Sequence, residues 1–221
     1  MREIVLDTET TGLDPQAGHR IVEISCLELQ HHIPTGREFH RYVNPGRDIP
    51  IDALSVHGLT AEFLATFPPF AEVADELLAF IGSDPLVIHN AEFDLAFLSM
   101  ELARLERTPP AFKAIDTLGL ARQRYPGAPA SLDALCRRFD IDLSGRADHG
   151  ARIDCGLLAA VYLELIGGRQ PGLDFAAPAA TGLASVRITR APRPHSPTAE
   201  ELAAHRAMLA LLTAPLWLGQ A

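Results

Sequence analysis

Residues 3–12 read Glu3-Ile4-Val5-Leu6-Asp7-Thr8-Glu9-Thr10-Thr11-Gly12. The run Ile4-Val5-Leu6 predicts a strand over residues 3–7 that ends on a polar residue. Side chains at i and i+2 of a strand share a face, so Asp7 and Glu9 project together from the most apolar, central strand. Two like charges there repel and resist desolvation. A divalent cation is the natural compensation, because hard cations take carboxylate oxygens. The residues alone leave a second reading open, in which Asp7 caps a turn and Glu9 is solvated.

Outward from this strand the pattern is mixed. Residues 20–29 and 37–43 predict two further strands, separated by a hairpin break at His31-His32-Ile33-Pro34-Thr35-Gly36. Residues 70–81 carry apolar positions at helical spacing, and the nearly all-apolar run at 85–88 predicts a strand buried on both faces. Helices are expected at 92–105, 117–124, 131–139 and 151–166. Strands first, then strand–helix alternation, imply an α/β fold: a mixed central sheet with helices on its faces.

Composition narrows the function classes. The chain has 221 residues, 48% apolar and 21% charged, with a formal net charge of −9. That acidity argues against a simple basic-patch binder of nucleic acid and against attraction to an anionic membrane. It leaves room for a nucleic-acid enzyme whose carboxylates are balanced by metal ions. Three cysteines without CxxC spacing suggest a reducing cytoplasm and no disulfide framework. No signal-peptide pattern and no apolar run of transmembrane length is present, so no membrane association is expected.

The chain divides near residue 168. Residues 1–168 hold 25 acids and 14 bases, and residues 169–221 hold three acids and five arginines. Five prolines among residues 169–197, with Gly, Ala and Arg, predict a flexible linker. Residues 198–221 then predict a short helical segment, with Ser196 or Thr198 as its N-cap.

Two further constellations carry chemistry. In His89-Asn90-Ala91-Glu92-Phe93-Asp94 a buried strand ends and a helix begins with Asp94 in its first turn. Ligand sites gather at such strand ends, although Asp94 alone reads equally as a helix-start charge complementing the dipole. In His149-Gly150-Ala151-Arg152-Ile153-Asp154 a loop histidine precedes an apolar helix that carries Asp154. A histidine titrates near neutral pH, but the pair also reads as a loop histidine and a helix-start aspartate.

Taken together and in this order, the three stretches resemble the motifs of the DEDDh class of 3′–5′ exonucleases, the DnaQ-like family. The resemblance covers residues 3–166. Gly150 stands where the family's tyrosine variant carries Tyr, so the histidine subclass is the one resembled. The resemblance implies a ribonuclease H-like fold, a five-stranded mixed sheet flanked by helices. It implies that Asp7, Glu9, Asp94 and Asp154 hold two divalent ions, Mg²⁺ or Mn²⁺. His149 would be the general base that deprotonates the attacking water. Thr10, Thr11, Gly12 and Leu13 would contact the terminal nucleotide, with His57 and Asn90 as further candidate contacts; His89 reads as structural. Arg152 and Cys155 depart from the family's more usual apolar or small residues.

The tail adds partners. Gln170-Pro171-Gly172-Leu173-Asp174-Phe175 resembles the bacterial β sliding-clamp-binding motif, with Gln170, Leu173 and Phe175 as its anchors. Leu202, Met208, Leu209, Leu212 and Trp217 give the terminal helix apolar positions that a short helix cannot bury alone. The nuclease–linker–helix layout resembles the epsilon proofreading subunits of bacterial DNA polymerase III. It implies attachment to the polymerase alpha subunit, action on a single-stranded or frayed DNA 3′ end, and room for a small theta-like third subunit. Two alternatives use the same residues differently: a stand-alone nuclease for DNA repair or RNA end-trimming, and a non-catalytic replisome scaffold.

Overall fold

The strand that opens the sequence runs the full length Arg2–Thr10 (β1) and lies at the centre of a five-stranded sheet in the computed structural model. The structure describes residues 1–144, 150–168 and 196–213. The chain forms two units, Met1–Asp174 and Phe175–Ala221. In the first unit β1 is followed by a 3₁₀ turn (Pro15–Ala17), β2 (Ile21–Gln30), β3 (Ile33–Tyr42), α1 (Ile51–His57), α2 (Ala61–Leu64) and α3 (Phe70–Ile81). Then come β4 (Leu86–Ile88), α4 (Ala91–Arg104), β5 (Ala114–Asp116), α5 (Thr117–Arg124), α6 (Leu132–Arg138) and α7 (Ala151–Leu165).

The strand order is β3-β2-β1-β4-β5. β1 and β2 pair antiparallel, as do β2 and β3, whereas β4 runs parallel to both β1 and β5. This is the mixed, helix-flanked sheet expected of the ribonuclease H-like fold.

Alternation along β1 feeds two cores. Ile4 and Leu6 point to one face, where they pack with Ile24, Leu86, Phe70, Leu77 and Phe97 beneath α3 and α4. Val5 points to the other face, against Cys155, Leu158 and Tyr162 of α7. Each such fully buried side chain contributes roughly 1.5–3 kcal/mol relative to exposure. A buried polar contact also docks α7, since the Tyr162 hydroxyl donates to the fully buried Glu3 carboxylate at 2.7 Å. A third cluster joins Ala121 of α5 and Leu135 of α6 to Val161 of α7. All three cysteines are free and buried.

Three local features differ from the sequence reading. The hairpin break is only His31-His32, both at positive φ (51° and 66°), as a two-residue hairpin turn demands. β3 therefore begins at Ile33, and Pro34 is tolerated because β3 is an edge strand with one side unpaired. The helices α1 and α2 span seven and four residues and β5 spans three, too short for their periodicity to register.

In the second unit, α8 (Ala199–Ala210) starts where its N-cap pattern predicts. The Thr198 hydroxyl accepts the Glu201 N–H at 3.2 Å, and the Thr198 N–H donates to the Glu201 carboxylate at 2.8 Å. Among the described residues, no helix is long and apolar enough to cross a membrane.

Candidate active site

Asp7 and Glu9 lie in the second half of β1, beyond Ile4 and Val5, the residues that pair with β4. They share the face of Val5, which is the face α7 covers. There the first turn of α7 presents Asp154. One carboxylate oxygen from each of Asp7, Glu9 and Asp154 lies within 4.8 Å of the other two. The ladder register shifts between Glu9 and Thr10, a bulge directly after the second carboxylate, beyond which Thr10 still pairs with Ile21 of β2.

Asp94 approaches from the first turn of α4 and is only 3% exposed. Its Oδ1 accepts the Thr8 hydroxyl at 2.7 Å. The start of α4 is held from outside: Asp116 Oδ1 accepts the Asn90 N–H at 3.0 Å and the Ala91 N–H at 3.4 Å. The same carboxylate caps α5 through the Leu118 and Gly119 amides. Asn90 itself sits at φ 67°, a left-handed turn that Asn tolerates. Thr8 and Asp116 escaped the sequence reading. Asp116-Thr117 carries an N-cap signal for α5, but its reach back to residue 90 is tertiary.

The electrostatics follow from this crowding. Burial holds Asp7 well above the usual carboxylate range, and the charges of Asp94, Glu9, Asp154 and Glu23 push it further the same way. Asp94 is pushed up to about 7, chiefly by burial, against the hydrogen bond from Thr8 that favours its charged form. Carboxylates gathered this closely with partial burial are costly as anions unless a cation joins them. The donor set is all hard oxygen, which suits Mg²⁺ or Mn²⁺ and not a soft metal. The residues present therefore fit a divalent-ion site.

Beside the carboxylates lies a cleft of about 410 Å³, lined among others by Glu9, Thr10, Gly12, Leu13, His57 and Phe93. The Thr10 hydroxyl donates to the Gly12 carbonyl at 2.7 Å and tightens the turn. Leu13 is 85% exposed at the mouth. His57 is buried, with Nδ1 accepting the Leu59 N–H at 3.0 Å, and burial lowers its pKa, so it stays neutral. Asn90 lines a neighbouring hollow of about 250 Å³ together with Leu13 and Phe93. Phe93, which borders both spaces, was not among the residues singled out from sequence.

Thr11 stands apart from the cleft. It is fully buried, and its hydroxyl meets His19 Nδ1 at 3.1 Å while accepting the Arg20 N–H at 3.0 Å. It holds the turn together. Gly12 packs on that same His19 ring, and a Cβ there would sit 2.4 Å from it. Gly12→Ala is expected to expel the ring and break the Thr11 contact. The cost is about 1 kcal/mol, read as a lower Tm, together with a raised KM because the turn lines the cleft.

The remaining candidates are placed as follows. His89 Nδ1 lies 2.9 Å from the Thr117 hydroxyl, a structural contact. Arg152 pairs with Glu38 of β3 through both carboxylate oxygens, and Cys155 is buried with Sγ 3.3 Å from the Ser25 carbonyl. Both departures thus bind α7 to the sheet. Leu202, Met208, Leu209 and Leu212 fall on or just after α8, where Leu202, Met208 and Leu212 are exposed. His149, Gln170, Leu173, Phe175 and Trp217 lie outside the described residues.

Residues 4–162 match the family model described as Exonuclease. The DNA polymerase III subunit epsilon of Rickettsia felis is 48% identical over 219 residues, covering 95% of this chain and 96% of that one. The protein of the same name in Escherichia coli is 44% identical, covering 96% and 93%. Among solved structures, Exonuclease X in complex with 5′ overhanging duplex DNA superposes with a TM-score of 0.60 at 27% identity, covering 74% of this chain and 90% of that one. The nuclease domain of 3′hExo, a DEDDh family member bound to rAMP, shares the fold at a TM-score of 0.65 and 20% identity, covering 75% and 91%. With the carboxylate cluster and the cleft in place, these matches give the assignment: the chain belongs to the exonuclease family and, within it, to the DNA polymerase III epsilon subunits.

Proposed function

We propose that this chain is a divalent-metal-dependent 3′–5′ exonuclease that removes mismatched nucleotides from DNA 3′ ends as the proofreading subunit of DNA polymerase III. The observation that carries the reading is the meeting of Asp7, Glu9 and Asp154 within 4.8 Å, at the edge of a cleft that Glu9 also lines. Asp7, Glu9, Asp94 and Asp154 would together hold two divalent ions. Bound Mg²⁺ or Mn²⁺ ions supply positive charge for the scissile phosphate and make water a better nucleophile near neutral pH.

The chain's own groups do the rest. Thr10, Gly12, Leu13 and His57 receive the terminal nucleotide, and neutral His57 offers a hydrogen-bonding group without competing for the phosphate's charge. His149 accepts the proton of the attacking water. The water oxygen bonds to the terminal phosphorus, the bond to the preceding nucleotide's 3′ oxygen breaks, that oxygen takes up a proton from solvent to become the new 3′-hydroxyl, and a nucleoside 5′-monophosphate leaves. Leu13, apolar and exposed, wedges against the base. Leu13→Ala is expected to leave stability nearly unchanged, within about 0.5 kcal/mol, while raising KM for DNA several-fold. Steady-state kinetics beside a melting curve checks both halves.

Partners complete the reading. The exposed Leu202, Met208 and Leu212, with Leu209 and Trp217, would bind the polymerase alpha subunit, and Gln170, Leu173 and Phe175 the β clamp. Tethering raises the effective concentration of the nuclease at the primer end, so the chain itself needs little grip on DNA. A theta-like subunit would be a third partner. The deciding assay offers 3′-labelled single-stranded and mismatched-primer DNA with Mg²⁺ to the full chain and to Asp7→Ala. Release of labelled mononucleotide by the first and not the second is expected, and equal rates would reject the nuclease. Full-length chain carrying Leu202→Asp and Met208→Asp should lose co-purification with alpha; unchanged binding would reject that docking surface.

A further inference from the structure

Glu23 is a carboxylate to which neither the metal nor the nucleotide reading gives a role, yet it is 3% exposed in the wall of the site. It stands on β2 directly opposite Glu9 of β1. Its Oε1 lies 2.7 Å from His40 Nε2 on the next strand, β3. Its Oε2 accepts the Ala151 N–H at 3.2 Å. Ala151 is the first residue of α7, and the N-cap, Gly150, has no side chain to cap the helix. The opening amides of a helix have no partner within it, so a buried helix start needs an acceptor from elsewhere. Here the sheet provides it, from a residue 128 positions earlier in the chain.

We propose that Glu23 is a positioning residue of the nuclease: by clamping the Ala151 amide it sets where the first turn of α7 stands, and so brings Asp154 against Asp7 and Glu9. The inference rests on the reading of Asp7, Glu9 and Asp154 as a metal site. Asp154 is one helical turn from the clamped amide, and its own N–H donates to the Gly150 carbonyl at 3.0 Å. A shift of the Ala151 amide is therefore transmitted to the carboxylate with little slack. His40 fixes the other oxygen of Glu23, so the clamp cannot swing away. Arg152 and Glu38 bind the same turn from outside but are exposed, where such a pair contributes little.

Glu23 also adds its charge to those acting on Asp7. A purely electrostatic role is thus the competing explanation, and two mild substitutions in the full chain separate them. Glu23→Gln removes the charge and keeps an oxygen that can accept the Ala151 N–H. Glu23→Asp keeps the charge and withdraws the oxygens by about 1.5 Å. The readout is Mn²⁺ affinity by electron paramagnetic resonance, beside kcat, KM and hydrogen exchange of the Ala151 amide. Outer-shell partners of metal ligands typically carry about 10–100-fold in metal affinity or activity. Glu23→Asp is expected to lose that much in Mn²⁺ affinity and kcat, with KM unchanged and faster Ala151 exchange, while Glu23→Gln stays within about 3-fold of the unsubstituted chain. Loss in Glu23→Gln with Glu23→Asp intact overturns the clamp in favour of charge. Equal loss in both, or loss in neither, also overturns it. Failure of the unsubstituted chain to bind Mn²⁺ would instead remove the metal reading itself, and the inference with it.

Discussion

Asp7→Asn is expected to lower the rate of 3′-nucleotide release by at least about 10²–10³-fold, the loss that follows removal of one preorganised charge-stabilising group. Asp7 is the residue where the site converges: an oxygen of it meets Glu9 and Asp154, and the charge of Asp94 acts on it most strongly of all neighbours. Asparagine keeps the shape and one oxygen acceptor but removes the negative charge that Asp7 would offer to a bound cation. The substitution should therefore act on turnover. KM for DNA should change little, because Thr10, Gly12, Leu13 and His57 are untouched. Single-turnover release from 3′-labelled primer in saturating Mg²⁺ measures the effect. A rate within about 5-fold of the unsubstituted chain would contradict the central role of this residue, since one lost ligand charge should exceed that factor.

The second large effect is on stability, and its sign is opposite. Without metal, Asp94 titrates near 7 in the fold against an ordinary value of 3.8, and Asp7 is displaced in the same direction. Between those pH values the folded chain holds a proton that the unfolded chain has lost. Stability must then fall as pH rises from about 4 through about 7. At roughly 1.4 kcal/mol per unit, the contribution of Asp94 is a few kcal/mol. Asp94→Asn should flatten that part of the slope and raise the Tm of metal-free protein at pH 8 while abolishing exonuclease activity. Adding Mg²⁺ at pH 8 should raise the Tm of the unsubstituted chain more than that of Asp94→Asn. Melting curves in chelator at pH 5 and pH 8 decide the matter. A metal-free Tm that rises over this range more for the unsubstituted chain than for Asp94→Asn would reverse the assignment. Glu28 shows the opposite sign: Arg2 holds it below its usual range, and it therefore loses its contribution only in acid.

How much was legible in the sequence depended on range. β1 declared itself because Ile4-Val5-Leu6 is apolar enough to need burial on both faces, and all three are buried. α7 and α3 showed their periodicity over 15 and 12 residues. β5, with three residues, owes its existence to the parallel ladder with β4, not to any propensity of its own. The pairing of Asp7 with Glu9 was readable from strand alternation. That Asp154 joins them was implied only by likeness to a family, because helix α7 arrives at that face through the packing of Cys155, Leu158 and Tyr162 on Val5.

The sequence by itself determined the elements that local periodicity encodes and the chemistry that residue type encodes: a strand with two carboxylates on one face, two helices that carry a further aspartate each in their first turns, and an excess of acids in residues 1–168 that leaves room for a cation. Only the tertiary structure decided which of the chemically similar residues face one another. It turned Thr11 into the fold and Thr10 to the cleft, gave the start of α4 to Asp116, and gave the start of α7 to Glu23. Those choices rest on contacts between residues far apart in the chain, such as the 128 positions between Glu23 and Ala151. No local pattern carries them, because their free energy comes from burial and hydrogen bonding that exist only once the sheet and helices have packed.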